Sequence, residues 1–432
     1  MIFLTQNSTP IIGQVAWLLG VIMNAIFTVI DFIGIPNIGL AIILFTIVVN
    51  LLMMPLTIKQ QKFSKLQMKM QPEVQAIQKK YKNKTDNDSK IAMNNEIQMV
   101  YAKYGVSPTG SCLYLLIQMP ILFALYRVIY SIPAYVTKIY NTFAVLADKI
   151  LEKGVDFLVT TQEGNISNTV SMYAKTLASE PTQEKVIDVL NKLSTSDMAI
   201  VSNEYGLASA TYGDQLILSN ETTTGLIDHF NNFLGLNIGN SPQDIIATAF
   251  KAGSWLLVIG AILIPVLSAL TQWINVKLMP QQPSSGDAQA DQMASSMKTM
   301  NMFFPLLSAW FCFTLPAGMG LYWVAGSIVR SIQQVIINKT IDKMDFEELI
   351  QKNSKKSAKQ MEKIKQNQER MNAYANMNTR SIQNKAMQNK AIVDNNKVDS
   401  EAITNSNVNY KPGSMMEKAN MVKRYNEKNN KN

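Results

Sequence analysis

Long apolar blocks, separated by polar stretches, fill most of the first 340 residues of the chain. Five of these blocks are close to the length of about 20 residues that a helix needs to cross a bilayer core. The fourth block is the shortest, so it requires a thin bilayer, tilt or shelter by neighbouring helices. The pattern predicts an all-α membrane protein with five transmembrane helices, and the blocks cover residues 39–58, 112–132, 252–274, 302–315 and 319–337.

A further apolar block, residues 11–35, carries a polar stripe. Asn24, Thr28 and Asp31 are spaced by four and three residues, which places them on one face of a helix. We interpret the block as an amphipathic helix that lies in the outer membrane interface. A sixth span is the alternative, because the block is long enough to cross a bilayer.

The charges between the blocks predict how the chain is oriented. Residues 59–104 contain ten Lys and four acidic residues, and an excess of Lys and Arg marks the cytoplasmic side. Residues 133–250 contain six Lys and thirteen acidic residues, which indicates the opposite side. With five spans, the N-terminus is then outside and the C-terminus is cytoplasmic.

The polar regions differ in how well they can fold. Residues 59–104 have apolar positions at helical spacing on both sides of "KNKTDNDSK", which predicts a helical hairpin whose second helix is capped by Asp88 or Ser89. The hairpin is either a pair of solvated helices or a docking arm for a partner. From about residue 352 the chain is rich in Asn, Gln, Lys and Met, a composition that predicts disorder. This tail either solubilises the protein or tethers it to ribosomal RNA or anionic lipid.

These patterns divide the chain into nine parts. They are an N-terminal external helix (1–38), transmembrane helix 1 (39–58), a cytoplasmic helical hairpin (59–108), transmembrane helix 2 (109–132), an enlarged acidic outer domain (133–250), transmembrane helix 3 (251–275), a cytoplasmic loop (276–298), transmembrane helices 4 and 5 (299–338) and a basic, mostly disordered cytoplasmic tail (339–432).

The sequence contains no pattern that indicates enzymatic chemistry. There is no phosphate-binding glycine loop, no set of residues with metal-ligand spacing and no nucleophile with a plausible base. The single histidine, His229, lies in a polar stretch typical of surface positions. We therefore expect no enzyme, no cofactor, no metal site and no small-molecule substrate.

Three stretches carry a family resemblance. They are "IGLAIILFTIVVNLLMMPLTIKQQKFSKL" at 38–66, "SPTGSCLYLLIQMPILFALYRVIY" at 107–130 and "LPAGMGLYWVAGSIVRSIQQ" at 315–334. Together they resemble the YidC/Oxa family of membrane protein insertases. The resemblance implies five helices around a hydrophilic groove that is open to the cytoplasm and to lipid. It also implies a bacterial plasma membrane protein that inserts and folds nascent membrane proteins, alone or with the Sec translocon, while its basic regions contact the ribosome.

The resemblance also implies which residues line the groove. The family's groove positions correspond to Thr46 and Asn50 in the first span, Gln118 in the second, and Trp323 and Ser327 in the last. Two positions depart from the family's pattern. The family usually has arginine where this chain has Asn50, and proline where it has Tyr114.

A second cation could replace the missing arginine. Trp323, Ser327, Arg330 and Gln334 share one face of the last span. Counted at 1.5 Å per residue, Asn50 and Arg330 lie about 17 and about 18 Å from the outer ends of their spans. We hypothesise that the cation of the groove has moved to Arg330. In the alternative, Arg330 extends to the headgroups and Asn50 only joins helices.

Two other function classes remain open at this stage. A secondary transporter or channel would predict repeated halves and ionisable residues in several spans, whereas only Arg330 is a clear candidate. A passive ribosome tether would need the basic hairpin and tail but no groove.

Overall fold

The computed structural model describes residues 9–84, 86–106, 110–171, 173–279, 288–358, 362–366 and 369–370. The described chain is mostly helical, as the apolar pattern predicts, and it adds two antiparallel pairs of very short strands, β1–β2 and β3–β4. The helices are α1 (Ile12–Phe32), α2 (Ile38–Tyr81), α3 (Asn87–Tyr104), α4 (Gly110–Tyr130), α5 (Thr137–Lys153), α6 (Asp156–Thr160), α7 (Ile166–Val170), α8 (Ala174–Ser179), α9 (Gln183–Leu190), α10 (Thr195–Tyr205), α11 (Leu226–Asn231), α12 (Pro242–Lys251), α13 (Trp255–Leu278), α14 (Ala288–Thr314) and α15 (Ala317–Asp342). The strands are β1 (Thr211–Tyr212), β2 (Gln215–Leu216), β3 (Asn232–Phe233) and β4 (Leu236–Asn237).

Three described helices are long and apolar enough to cross a membrane, namely α1, α2 and α13. Two shorter apolar segments, Leu116–Tyr130 in α4 and Met302–Thr314 in α14, are below that length. The helix lengths alone do not test the five-span arrangement or the interfacial position of α1, so both stay predictions.

The first predicted span and the first arm of the hairpin are one continuous helix, α2. The side chain of Asn37 begins it by accepting a hydrogen bond from the Leu40 N–H at 3.0 Å. The second arm, α3, is capped by Asp86, whose carboxylate accepts from the Ser89 N–H at 2.8 Å. The expected cap at Asp88 or Ser89 was therefore wrong, because the helix begins one residue before Asp88.

The hairpin is held by an apolar seam and by ion pairs along its edge. Leu66, Met70 and Val74 of α2 are buried in one cluster with residues of α3 and α15. Glu73 accepts hydrogen bonds from Lys103 Nζ at 2.8 Å and from the Tyr104 hydroxyl at 2.7 Å. Desolvation raises the pKa of Tyr104 to about 12, and its hydrogen bond to Glu73 acts in the same direction.

Two predicted boundaries differ from the structure. The expected loop at 276–298 is mostly helical, because α13 continues to Leu278 and α14 begins at Ala288. The tail predicted from 339 begins inside α15, and residues 346–358 form a further helical segment. Polar helix formers occupy both regions, and a search for apolar blocks cannot detect them. The prediction of disorder concerns mainly residues 371–432, which lie outside the described residues.

The start of the tail packs on the hairpin. The Asn353 side-chain amide donates to the Tyr104 carbonyl at 2.9 Å, and the Ser357 hydroxyl donates to the Ala102 carbonyl at 2.6 Å. Gly105 leaves room for this contact, since a Cβ there would lie 2.6 Å from the Asn353 side chain.

The outer domain, residues 133–250, packs on α1 and accounts for the polar stripe of that helix. The Asn24 side chain accepts from the Thr137 N–H at 3.0 Å, and Lys138 pairs with Asp31 at 2.6 Å. Both partners lie at the start of α5. The stripe is therefore satisfied by protein contacts, and headgroups are not needed to explain it.

Candidate substrate groove

Arg330 turns back along α15 toward the start of the helix. Its Nη2 donates to the Ser327 hydroxyl at 3.1 Å. A Cβ at Gly326 would lie 3.1 Å from Arg330 Nη1, so the absence of a side chain at Gly326 leaves room for the guanidinium. This orientation differs from the alternative in which Arg330 extends toward the far end of α15.

The guanidinium lies at the same level of the bundle as Asn50. A Cβ at Gly318 would lie 3.4 Å from Ile42 Cδ1, so these two residues are side by side on α15 and α2. Asn50 and Gly326 each follow this pair by eight residues, which is about 12 Å along either helix. In the described structure no hydrogen bond joins Asn50 directly to Arg330.

Thr46 and Asn50 are bound into the packing of α2. The buried Thr46 hydroxyl donates to the Ile42 carbonyl at 2.6 Å, and the Asn50 amide donates to the Thr46 carbonyl at 2.7 Å. The backbone carbonyl of Asn50 accepts a hydrogen bond from Gln333 Nε2 of α15 at 2.9 Å. Asn50 is half-buried and connects α2 to α15, whereas Thr46 is fully buried and does not face open space.

Gln334 belongs to a second set of amides nearer the end of α15. Its Oε1 accepts from Gln61 of α2 at 3.1 Å, and its Nε2 donates to Asn338 at 2.8 Å. Asn338 in turn donates to the carbonyl of Leu278, the last residue of α13, at 3.3 Å. These amides join α2, α15 and α13 on the side of the hairpin.

A polar stripe on α13 was missed by the sequence analysis. Ser268, Gln272 and Asn275 are buried at spacings of four and three residues, and Gln272 donates to the Ser268 hydroxyl at 3.0 Å. Among the described residues, the buried atoms Asn275 Nδ2 and Ser331 Oγ have no hydrogen-bond partner. The spacing in the sequence was a sufficient signal for this stripe, and Gln333 could have been found by its position next to Gln334.

The predicted groove positions are thus brought together only in part. Asn50 and Gln334 lie where α2 and α15 pack together, Ser327 and Arg330 are bonded to each other on α15, and Trp323 is half-buried against the main core. Gln118 is exposed on α4, and no hydrogen bond in the described structure joins it to the other positions. The side chain of Tyr114 lies outside the described residues.

The chemistry of this region is that of a polar surface with one cation. Its side chains are amides and hydroxyls, which both donate and accept hydrogen bonds. α13 contains no Asp or Glu, and neither does α2 before Glu73 or α15 before Asp342. Arg330 therefore has no acidic neighbour on these helices, and a half-buried cation without a counter-charge there attracts carboxylates. In the described part of the chain, no group of three His, Cys, Asp or Glu side chains is arranged to hold a metal ion.

Comparison with known proteins gives the same family as the motifs. The chain matches the family described as "60Kd inner membrane protein" over residues 28–212 and 217–344. It is 46% identical over 91 residues to the "Membrane protein insertase YidC 1" of Streptococcus agalactiae, a match that covers 21% of this chain and 33% of the relative.

Two further relatives match stretches of similar length. The chain is 43% identical over 105 residues to the "Membrane protein insertase YidC" of Oceanobacillus iheyensis, which covers 24% of this chain and 41% of the relative. It is 43% identical over 93 residues to the "Membrane protein insertase MisCA" of Bacillus subtilis, which covers 22% and 35%. The chain thus spans about a third to two fifths of the length of these curated relatives. Because the family match covers more than half of its residues, the chain belongs to the 60Kd inner membrane protein family, the YidC/Oxa family.

Proposed function

We propose that this protein is a membrane protein insertase and chaperone of a bacterial plasma membrane, with five spans around a groove that opens to the cytoplasm. The observation that carries the proposal is the orientation of Arg330, which turns toward Ser327 at the level of Asn50 on helices that lack acidic residues there. The names of the relatives support the same activity.

The groove would act by lowering a desolvation barrier. A polar flank of a nascent segment must cross hydrocarbon, where each unpaired polar group or charge costs several kcal/mol. The half-buried side chains of Asn50 and Arg330 would offer hydrogen bonds within the bundle, so the flank would cross a shorter apolar layer. Exported flanks are poor in Lys and Arg, and the Arg330 charge would attract those that carry carboxylates.

The partners follow from the charge distribution. The ten Lys of residues 59–104 present positive charge to ribosomal RNA, and the basic tail adds to it. The same charges attract anionic lipid headgroups. Nascent membrane proteins are the proposed substrates, delivered directly or through the Sec translocon.

Replacement of Arg330 tests the role of the relocated cation. In a strain depleted of its own insertase, Arg330→Ala should reduce insertion of substrates with acidic flanks, and adding Asn50→Arg should restore it. Lys339→Ala is the matched control, since Lys339 is exposed near the end of the same helix. Full insertion by the Arg330→Ala variant would refute the role of this residue.

Site-specific photocrosslinking separates the insertase from the other two classes. A photoreactive residue at position 50 should crosslink to the apolar segment or flank of a stalled nascent chain. No crosslink from position 50 or from any other groove position would favour a transporter. Removal of residues 359–432 leaves the docked segment 346–358 in place, so the insertase should retain much of its activity, whereas a passive tether would lose it.

A further inference from the structure

Two tryptophans of α13 mark where this helix would enter and leave the hydrocarbon core of the membrane. Trp255 and Trp273 are both exposed, and the face between them presents apolar side chains. They are separated by about 27 Å along the helix. This distance is close to the thickness of a hydrocarbon core, and tryptophan is enriched at both of its edges. Trp255 therefore marks the outer edge, given the orientation of the proposed insertase.

The turn between α14 and α15 is recessed below that edge. A Cβ at Gly320 would lie 2.5 Å from Ile264 Cγ2, so these residues stand at one level on α15 and α13. Ile264 is nine residues beyond Trp255, and α15 begins only three residues before Gly320. The start of α15 is therefore about 9 Å below Trp255. Without cover, its first N–H groups would be exposed to lipid.

Residues of the outer domain supply this cover. The Ala317 N–H donates to the Asn240 carbonyl at 2.8 Å, and the Gly318 N–H donates to the Ile238 carbonyl at 2.9 Å. Ile238 is buried in the same core as Ile42 of α2. Irregular backbone is tolerated at membrane depth where it is buried in protein, and these contacts satisfy that condition.

The hairpin of β3 and β4 lies beside this cover, between α2 and α13. Phe233 packs against Gly39, where a Cβ would lie 2.5 Å from its ring, and Leu236 packs against Gly260, where a Cβ would lie 3.3 Å from its side chain. Gly260 is five residues beyond Trp255, or about 7.5 Å deeper. The hairpin is thus below the level of Trp255.

The tip of the hairpin is an apolar side chain that protrudes from the protein. Leu234 is 87% exposed, with a positive φ of 53° that is uncommon for a residue with a side chain. Residues 232–240 read "NFLGLNIGN" and contain no charged residue, although the outer domain around them is rich in acids. The side-chain amides of the segment are bonded to protein groups: the Asn232 oxygen accepts from the Gly235 N–H, and Asn237 donates to Asp228 of the outer domain.

We propose that residues 232–240 form a re-entrant segment that enters the outer leaflet, with Leu234 among lipid acyl chains. The segment shelters the recessed start of α15, which follows the short fourth span. Its lipid contact continues the exposed apolar face of α13. The inference rests on the membrane orientation of the proposed function, and it assigns a role to part of the enlarged outer domain.

Spin-label accessibility in bilayers tests this placement. The full chain, with Cys112→Ala and Cys312→Ala, is reconstituted in phosphatidylcholine–phosphatidylglycerol vesicles, with one label at Leu234→Cys. Reference labels are Ile262→Cys within the span, Leu256→Cys near the outer edge and Glu221→Cys on the outer domain. We expect the label at 234 to collide more with oxygen than with a soluble nickel chelate, at a depth between those of 256 and 262.

Other outcomes overturn the inference, and they are separable from the insertase activity. A label at 234 as accessible to nickel as the label at 221 would place the tip in water. A label protected from both reagents would indicate a protein partner in place of lipid. Substrate insertion measured in the same vesicles reports on the proposed function separately. An active insertase with a water-exposed tip refutes only the re-entrant segment, and an inactive protein with a lipid-buried tip supports the segment and refutes the activity.

Discussion

Ser327 is expected to hold the guanidinium of Arg330 at the level of Asn50, and its replacement tests this geometry. Ser327→Ala removes the hydroxyl that accepts from Arg330 Nη2 at 3.1 Å, in a side chain that is fully buried. Without this bond, Arg330 loses one of its two polar contacts in the described structure, the other being with Tyr322, and the flexible side chain extends more readily toward headgroups. Arg330 would then lie beside Gly326 for less of the time.

The size of the effect follows from the strength of such bonds in membranes. Side-chain hydrogen bonds between membrane helices contribute on average about 0.6 and at most about 1.7 kcal/mol. We use this range as the scale for the bond between Arg330 and Ser327, which lies within α15. If that energy holds the charge in place during insertion, Ser327→Ala should slow insertion about three- to twentyfold. The loss should appear with substrates whose exported flank is acidic and should be small with neutral flanks.

The measurement is a double-mutant cycle in proteoliposomes. Insertion rates of matched substrates with acidic and neutral flanks are compared for wild type, Ser327→Ala, Arg330→Ala and the double variant. Because Ser327 acts through Arg330, the double variant should be no slower than Arg330→Ala alone. Additive losses, or an equal loss with neutral flanks, would refute this role for Ser327.

Three further predictions concern the outer domain and the hairpin. Burial raises the pKa of Asp188 to about 8. The folded state therefore keeps a proton that the unfolded chain loses near pH 4. The free energy of unfolding should fall by at most about 1.4 kcal/mol per pH unit between pH 5 and 6.5. Thermal unfolding of Asp188→Asn should lack this slope, and an identical slope would contradict the assignment. Ala317→Pro removes the backbone N–H that donates to the Asn240 carbonyl, and the first position of a helix otherwise accepts proline. This variant should be less stable by about 1–3 kcal/mol than Ala317→Val, which keeps the N–H. Equal stability of these two variants in detergent would show that the bond is unimportant. Glu73→Gln should lower the stability of the hairpin by no more than about 1 kcal/mol, measured by hydrogen exchange of α3. Glu73 and Lys103 are both more than a third exposed, so solvent screens their ion pair. A larger loss would contradict this screening.

The helices and one face of α15 could be read from the sequence because they depend on neighbours within a few residues. Apolar blocks predicted α2 and α13, and the spacing of Ser327 and Arg330 predicted that they share one face of a helix, on which the structure joins them by a hydrogen bond. The same reasoning was available for Ser268, Gln272 and Asn275 on α13, where the spacing went unused. The start of α14 was missed because it is not an apolar block, although Met293, Met297 and Met300 recur there at helical spacing, so that signal too went unused.

Contacts between distant residues were decided only by the tertiary structure. The polar stripe of α1 suggested a membrane interface, yet its partners Thr137 and Lys138 lie more than a hundred residues away. The short fourth apolar block likewise gave no sign that Ile238 and Asn240 would cover the start of α15. Hydrophobic periodicity records which face of an element avoids water, but it does not record which other element covers that face. The sequence by itself therefore determined the long apolar helices, the family and the candidate cation, whereas only the packing decided which backbone groups would meet at the start of α15.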